Sequence, residues 1–119
     1  MKKLLLQITF IFCILIISCS QFDGNISSSE DCIKMDYTIF NQQKTGFLKL
    51  SEGDTVLVSI LQEKGFIDVT VALPEKEPIY EGRKLSNTKF TLNIHESGNY
   101  QISVNGHNAS GSVIIKKLK

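Results

Sequence analysis

Tryptophan is absent from this 119-residue chain, proline and histidine occur twice each, and cysteine three times. These scarcities exclude several chemistries. No CxxC, HxH or HExxH spacing occurs, so the compact zinc and redox motifs are unavailable. No serine sits in GxSxG; Ser97-Gly98 and Ser110-Gly111-Ser112 are the small-residue contexts and read as turn and strand-start residues. Phosphate-cradling glycine loops and the DxDxDG pattern of calcium loops are missing too. Glu75, Glu77 and Glu81 cluster around Pro74, Pro78 and Gly82, but Lys76 and Arg83 lie among them, which reads as a solvated, charge-mixed loop. No catalytic, cofactor-binding or metal-binding residue is nominated, and the chain reads as a non-enzyme without a cofactor.

What is present begins at the N-terminus. Lys2 and Lys3 form a positive start, followed by LLLQITFIFCILII from Leu4 to Ile17, apolar apart from Gln7 and Thr9. As a helix this run spans about 21 Å at 1.5 Å per residue, short of the ~30 Å hydrocarbon core of a bilayer. No basic residue follows between Ser20 and Glu30. The order of regions is that of a secretion signal over residues 1–18, not of a membrane span.

Ile16-Ile17-Ser18-Cys19 closes that segment and resembles the lipobox of bacterial lipoproteins. The resemblance implies a diacylglyceryl thioether on Cys19 and cleavage by signal peptidase II between Ser18 and Cys19. It further implies an extracytoplasmic protein held on the membrane through acylated Cys19. Two or three acyl chains bind durably, since each buried methylene contributes about 0.8 kcal/mol. Cys13 is a poorer candidate, flanked by Phe12 and Ile14 with no small residue before it.

Loss of the signal leaves about one hundred residues, enough for one domain with a modest core. Lys2 and Lys3 leave with it, so eleven of the thirteen basic residues face all twelve acidic ones, and the mature side-chain charge is −1. That balance gives no electrostatic case for nucleic acid. The basic tail Lys116-Lys117-Leu118-Lys119 reads as a solvated end. With Cys19 acylated, Cys32 is the one remaining thiol, so no intramolecular disulfide forms. A partly buried apolar role, a bridge to another chain and a nucleophile all stay open for Cys32.

Residues 19–31 are polar except for Phe22 and Ile26 and predict a flexible tether. From residue 32 to 119 short apolar runs alternate with turn residues. TVLVSILQ (55–62) and FIDVTVAL (66–73) read as a hairpin around Glu63-Lys64-Gly65, with Ile67, Val69, Val71 and Leu73 on the inward face. Phe90, Leu92 and Ile94 alternate inward before a turn at Glu96-Ser97-Gly98. Tyr100, Ile102 and Val104 do so after it, and a second turn is expected at Gly106-His107-Asn108. Residues 37–40, 47–50 and 112–116 complete about seven strands. His95 and His107, in turns at opposite ends of one strand, are expected roughly 20 Å apart and unable to share a metal.

The predicted fold is therefore all-β: an antiparallel β-sandwich of about seven short strands, preceded by a helical signal peptide and a tether. Phe90-x-Leu92-x-Ile94 followed by Glu96-x-Gly98-x-Tyr100-x-Ile102-x-Val104 is similar to the closing hairpin of immunoglobulin-like and jelly-roll-like surface domains. In those, a Gly and a Tyr two residues apart form a corner. The paired cysteines and core tryptophan of true immunoglobulin domains are missing. The long segment 73–85, with Tyr80 and Arg83, is the one loop whose length suggests binding.

Three readings of function follow. The first is a non-catalytic, lipid-anchored surface domain that binds a protein or envelope component. The second is a lipoprotein subunit of a larger envelope complex, which an outward apolar patch at Leu57 and Leu61 would favour. The third is a small envelope enzyme, which a pocket containing His95 or Cys32 with carboxylates would favour.

Overall fold

The computed structural model describes residues 20–118, and all seven elements in them are antiparallel strands. They are β1 (Gln21–Ser28), β2 (Cys32–Asn41), β3 (Gln43–Leu50), β4 (Thr55–Ala72), β5 (Tyr80–Leu85), β6 (Thr88–Asn93) and β7 (Gly98–Leu118). The signal segment 1–18 and Cys19, including the predicted helix and the lipidation and cleavage positions, lie outside the described residues.

β4 and β7 are each long enough to cross the whole molecule. The N-terminal half of β4 and the C-terminal half of β7 pair with each other, and β6 and β2–β1 extend that layer on either side. Their other halves also pair, flanked by β5 and β3, and make the second layer. One continuous sheet thus folds over on itself like a closed book. Two contacts show that the layers face each other. The Tyr80 and Phe90 rings, on β5 and β6, lie 4.8 Å apart, and a Cβ on Gly46 of β3 would sit 2.9 Å from Ile33 Cδ1 of β2. The predicted sandwich is the observed architecture.

The fold line is written in the apolar spacing. In β4 the buried residues are Val56, Val58 and Ile60, then Ile67, Val69 and Val71. In β7 they are Tyr100, Ile102 and Val104, then Ala109, Val113 and Ile115. Both strands switch from even to odd positions, which an uninterrupted strand with a period of two cannot do while keeping one face inward. One extra residue in each strand solves this. Gln62 pairs with Gly111, Lys64 with Ser110, and Phe66 with His107, so the bulge in β4 is followed at once by one in β7 and the register resumes. β2 carries its own irregularity at the same level, between Tyr37 and Phe40. Bulges in three neighbouring strands align into a crease.

Four expectations are corrected here. Glu63-Lys64-Gly65 is not a hairpin turn: Gly65 does take positive φ (65°), but as part of the bulge. A side chain there would press on the carbonyl oxygens of His107 and Asn108. Gly106-His107-Asn108 is not a turn either; it is the same crease seen from β7, with Asn108 at φ 49°. The expected tether forms β1 over Gln21–Ser28, so the folded unit begins at Gln21 and not at residue 32. β1 satisfies the edge of β2 through its backbone and buries little beyond Phe22, and for that reason it lacks an apolar alternation. Segment 73–85 is shorter as a loop than expected, because Tyr80–Leu85 is β5.

Tyr100 is 1% exposed, and its hydroxyl donates to the Glu96 carbonyl at 2.6 Å, closing a corner between β6 and β7. Burial, with the Glu96 charge adding to it, pushes the Tyr100 phenol up.

Candidate functional site

On the outer side of the crease lies a groove of about 700 Å³. Each bulge contributes to it. The β1–β2 irregularity brings in Asp23, Gly24, Asp36 and Thr38, and Thr38 Oγ1 donates to the Asp23 carbonyl at 3.2 Å. The β4 bulge supplies Leu61, Gln62 and Glu63, and the β7 bulge supplies Ser110, Gly111 and Ser112. Asn87, in the turn between β5 and β6, accepts from the Gln62 backbone N–H at 2.8 Å and closes one end.

Gln62 is the pivot of this groove. Its Nε2 donates to the Tyr37 hydroxyl at 2.5 Å, while its buried Oε1 has no hydrogen-bond partner among the described residues. Burial raises the Tyr37 phenol, and the bond from Gln62 partly offsets that. Tyr37 itself belongs to the core, stacked edgewise on Phe40 at 4.8 Å.

The charge of the groove is one-signed. Asp23, Asp36 and Glu63 line it, and no Lys, Arg or His does. Carboxylates, amides and hydroxyls surround Leu61, which is 61% exposed. A concave surface with one apolar contact and acceptors around it suits a cationic, hydrogen-bonding ligand. Among the described residues no group of three or more His, Cys, Asp or Glu is placed to hold a metal ion.

A second constellation lies on the outer face of the other layer. His107 Nε2 meets Asp68 Oδ2 at 2.8 Å, and the Phe66 ring stacks on the imidazole with centroids 4.7 Å apart. Burial alone would raise the Asp68 carboxyl. The Lys84 N–H, the bond and charge of His107, and Arg83 together outweigh it and hold the carboxyl below its usual range. This is a His–Asp pair set in a strand; Phe66 covers one face of the ring.

The residues weighed in the sequence fall as follows. His95 lies exposed in the β6–β7 turn, at the opposite end of β7's first half from His107. Cys32 is half-buried at the start of β2, opposite Lys116, as a free thiol. Tyr80 turns inward onto Phe90, and Arg83 pairs with Glu81 at 3.0 Å on the surface, so segment 73–85 does not present them together. Glu75 and Glu77 lie exposed in the loop before β5, and Glu81 is on β5 beside Arg83. Sequence reasoning missed the groove, because its residues come from five separate stretches. The available signal was the even-to-odd switch of the apolar positions, which marks where strands must bulge.

No family model matches the sequence, and no curated protein matches it. Several solved structures are distantly similar to it. The periplasmic inhibitor of g-type lysozyme PliG from Aeromonas hydrophila is 15% identical, covering 83% of this chain and 96% of that one, with a TM-score of 0.49. The accessory secretory protein 1, 2 and 3 structure of Streptococcus pneumoniae is 13% identical over 81% of this chain and 86% of that one (TM-score 0.42). A cupin domain of Bordetella pertussis is 12% identical over 84% and 96% (TM-score 0.40). At these identities and TM-scores the likeness adds nothing to the fold described above.

Proposed function

We propose that this chain is a lipid-anchored extracytoplasmic domain that binds a protein partner at the crease groove and performs no catalysis. The anchor rests on Lys2, Lys3, the apolar run and Ile16–Cys19. The single observation that carries the binding role is the groove itself: about 700 Å³, three carboxylates, no cation, and Leu61 exposed among them. The partner is a protein that inserts a Lys or Arg side chain beside Leu61, where charge steers the encounter and the apolar contact holds it.

A photo-crosslinking residue at Leu61, in cells, tests this. A specific protein adduct is expected, lost in the Asp36→Lys/Glu63→Lys double variant and weakened on the order of tenfold by that charge reversal in purified form. No adduct at Leu61, or the same adduct from Glu77 on the opposite end, would overturn the groove as the binding surface. The anchor has its own test: Cys19→Ala abolishes fatty-acid labelling and leaves uncleaved precursor.

A second reading has one observation in its favour. Leu57 and Ile114 are half-buried on the same outer face as Leu61, which suits a subunit packed into a larger envelope complex. In that case crosslinks from Leu57 would reach a constant neighbour in the membrane.

A further inference from the structure

The chain enters the described fold at one defined end of the domain. β1 starts at Gln21, and Gln21 pairs with Asn41, the last residue of β2. Asn41 leads directly into the β2–β3 turn, where the two layers join along the crease. The Asn108 N–H donates to Asn41 Oδ1 at 3.1 Å, and the Gly106 N–H to the Gln42 carbonyl at 2.9 Å, tying this turn to the β7 bulge. The opposite end carries the β1–β2, β3–β4 and β6–β7 turns and the 73–79 loop.

Resting on the proposed lipidation of Cys19, we infer that the crease end of the domain lies on the lipid headgroups, with the four-loop end pointing away. Only Ser20 separates Cys19 from Gln21, and two residues of chain reach at most about 7 Å. The headgroup layer on each side of a bilayer is itself about 5–8 Å deep. A flexible tether of a dozen residues would have left the orientation free. The strand that replaces it does not.

For this to hold, β1 must stay docked at its first residues, and Phe22 provides the fastening. Its ring packs on Phe40 at 5.2 Å and Tyr37 at 6.3 Å, and the Lys44 ammonium lies 4.9 Å from its centroid. Gln21, Asn41, Lys64 and Asn108 then lie at the apposed end, with exposed Ile39 and the carboxylates Asp23 and Glu63 beside them. The far turns stand about 23 Å further out, the length of seven strand residues. The groove, at the crease, opens beside the bilayer surface. Its partner must therefore be reached along the membrane, as a lipid-embedded or membrane-bound protein.

The test uses full-length, lipidated protein in vesicles of phosphatidylethanolamine and phosphatidylglycerol, some with a nitroxide on the headgroup. In a Cys32→Ser background, an environment-sensitive fluorophore is placed at Lys64→Cys or Gln43→Cys, and separately at Glu52→Cys or Glu77→Cys. The mass of the N-terminal peptide reports lipidation independently. Labels at 64 and 43 are expected to lose most of their emission, and those at 52 and 77 to keep it. Inserting a Gly/Ser linker of about twelve residues after Ser20, with an r.m.s. span near 20 Å, restores emission at 64 and 43 while lipidation persists. Equal quenching at both ends of a lipidated protein overturns the orientation alone. An unlipidated Cys19 overturns the anchor reading and the orientation with it.

Discussion

β7 and β1 flank the same strand, β2, and are held to the molecule by different means. β7 runs through both layers, pairs with β2, β3 and β4, and buries Tyr100, Ile102, Val104, Ala109, Val113 and Ile115. β1 pairs with β2 alone and exposes every residue except half-buried Phe22. One strand is kept by apolar burial and the other by backbone hydrogen bonds plus a single ring. The difference teaches that strand and core are separable: a segment can complete a sheet while adding almost nothing to the interior. It also ranks local stability, because segments with few buried contacts open at low free energy while core strands open only globally.

Substitutions can break or sharpen that ranking, each read by urea denaturation of the soluble chain from Ser20 onward. Tyr100→Ala removes a buried aromatic and its bond to Glu96, and is expected to cost about 3–5 kcal/mol. A domain of this size has only about 5–15 kcal/mol in total, so the variant will be marginal. Gly65→Val tests the crease: positive φ and the facing carbonyls together are expected to cost about 2–4 kcal/mol. A loss under about 0.5 kcal/mol would mean that the bulge relaxes freely.

The Asp68–His107 pair comes next. His107→Ala is expected to cost about 1–2 kcal/mol, since it leaves a half-buried carboxylate short of a partner. The pH dependence has a defined sign. The folded state holds the Asp68 carboxyl below its ordinary value, so its contribution is present above about pH 4 and disappears as pH falls through the lowered value. Asp68→Asn should therefore flatten the stability profile in that acid window. An unchanged profile would remove the pair from the account.

The smallest effects belong to β1 and its neighbour. Phe22→Ala is expected to cost about 1 kcal/mol globally, yet to abolish hydrogen-exchange protection from Gln21 to Ser28. Ile26→Asn, at a position 47% exposed, should change stability by less than about 0.5 kcal/mol. Cys32→Ser should behave likewise, because no intramolecular bridge is lost. If Ile26→Asn proved as costly as Tyr100→Ala, the contrast between the two strands would collapse.

The same contrast decides what the sequence made legible. The inward residues of β4, β6 and β7 alternate with polar ones, and the interior was readable from them, down to Tyr100 at its corner. The breaks in alternation at 63–65 and 106–108 were also readable, but a break with a glycine is common to a hairpin and a bulge. Pairing between β4 and β7 on both sides of the break, a long-range fact, decides between them. β1 was illegible because both its faces meet water, and β5 because burial there falls on Tyr80, Gly82 and Leu85 without a clean period. The groove was hidden for a related reason. Its walls are defined by where three strands bulge at one level, and no single stretch of sequence records that coincidence.

Because β4 and β7 belong to both layers, sliding one half of the sandwich past the other would shear strands that are covalently continuous and hydrogen-bonded across the crease. Opening the halves about the crease would expose the core they share. Those strands form one wall of the groove, Leu61 to Glu63 and Ser110 to Ser112, which is fixed as firmly as the core; the wall across from it, Asp23 to Asn25, belongs to the edge strand β1. The first wall acts as a mould to which a partner must conform, and any give in the groove comes from the second.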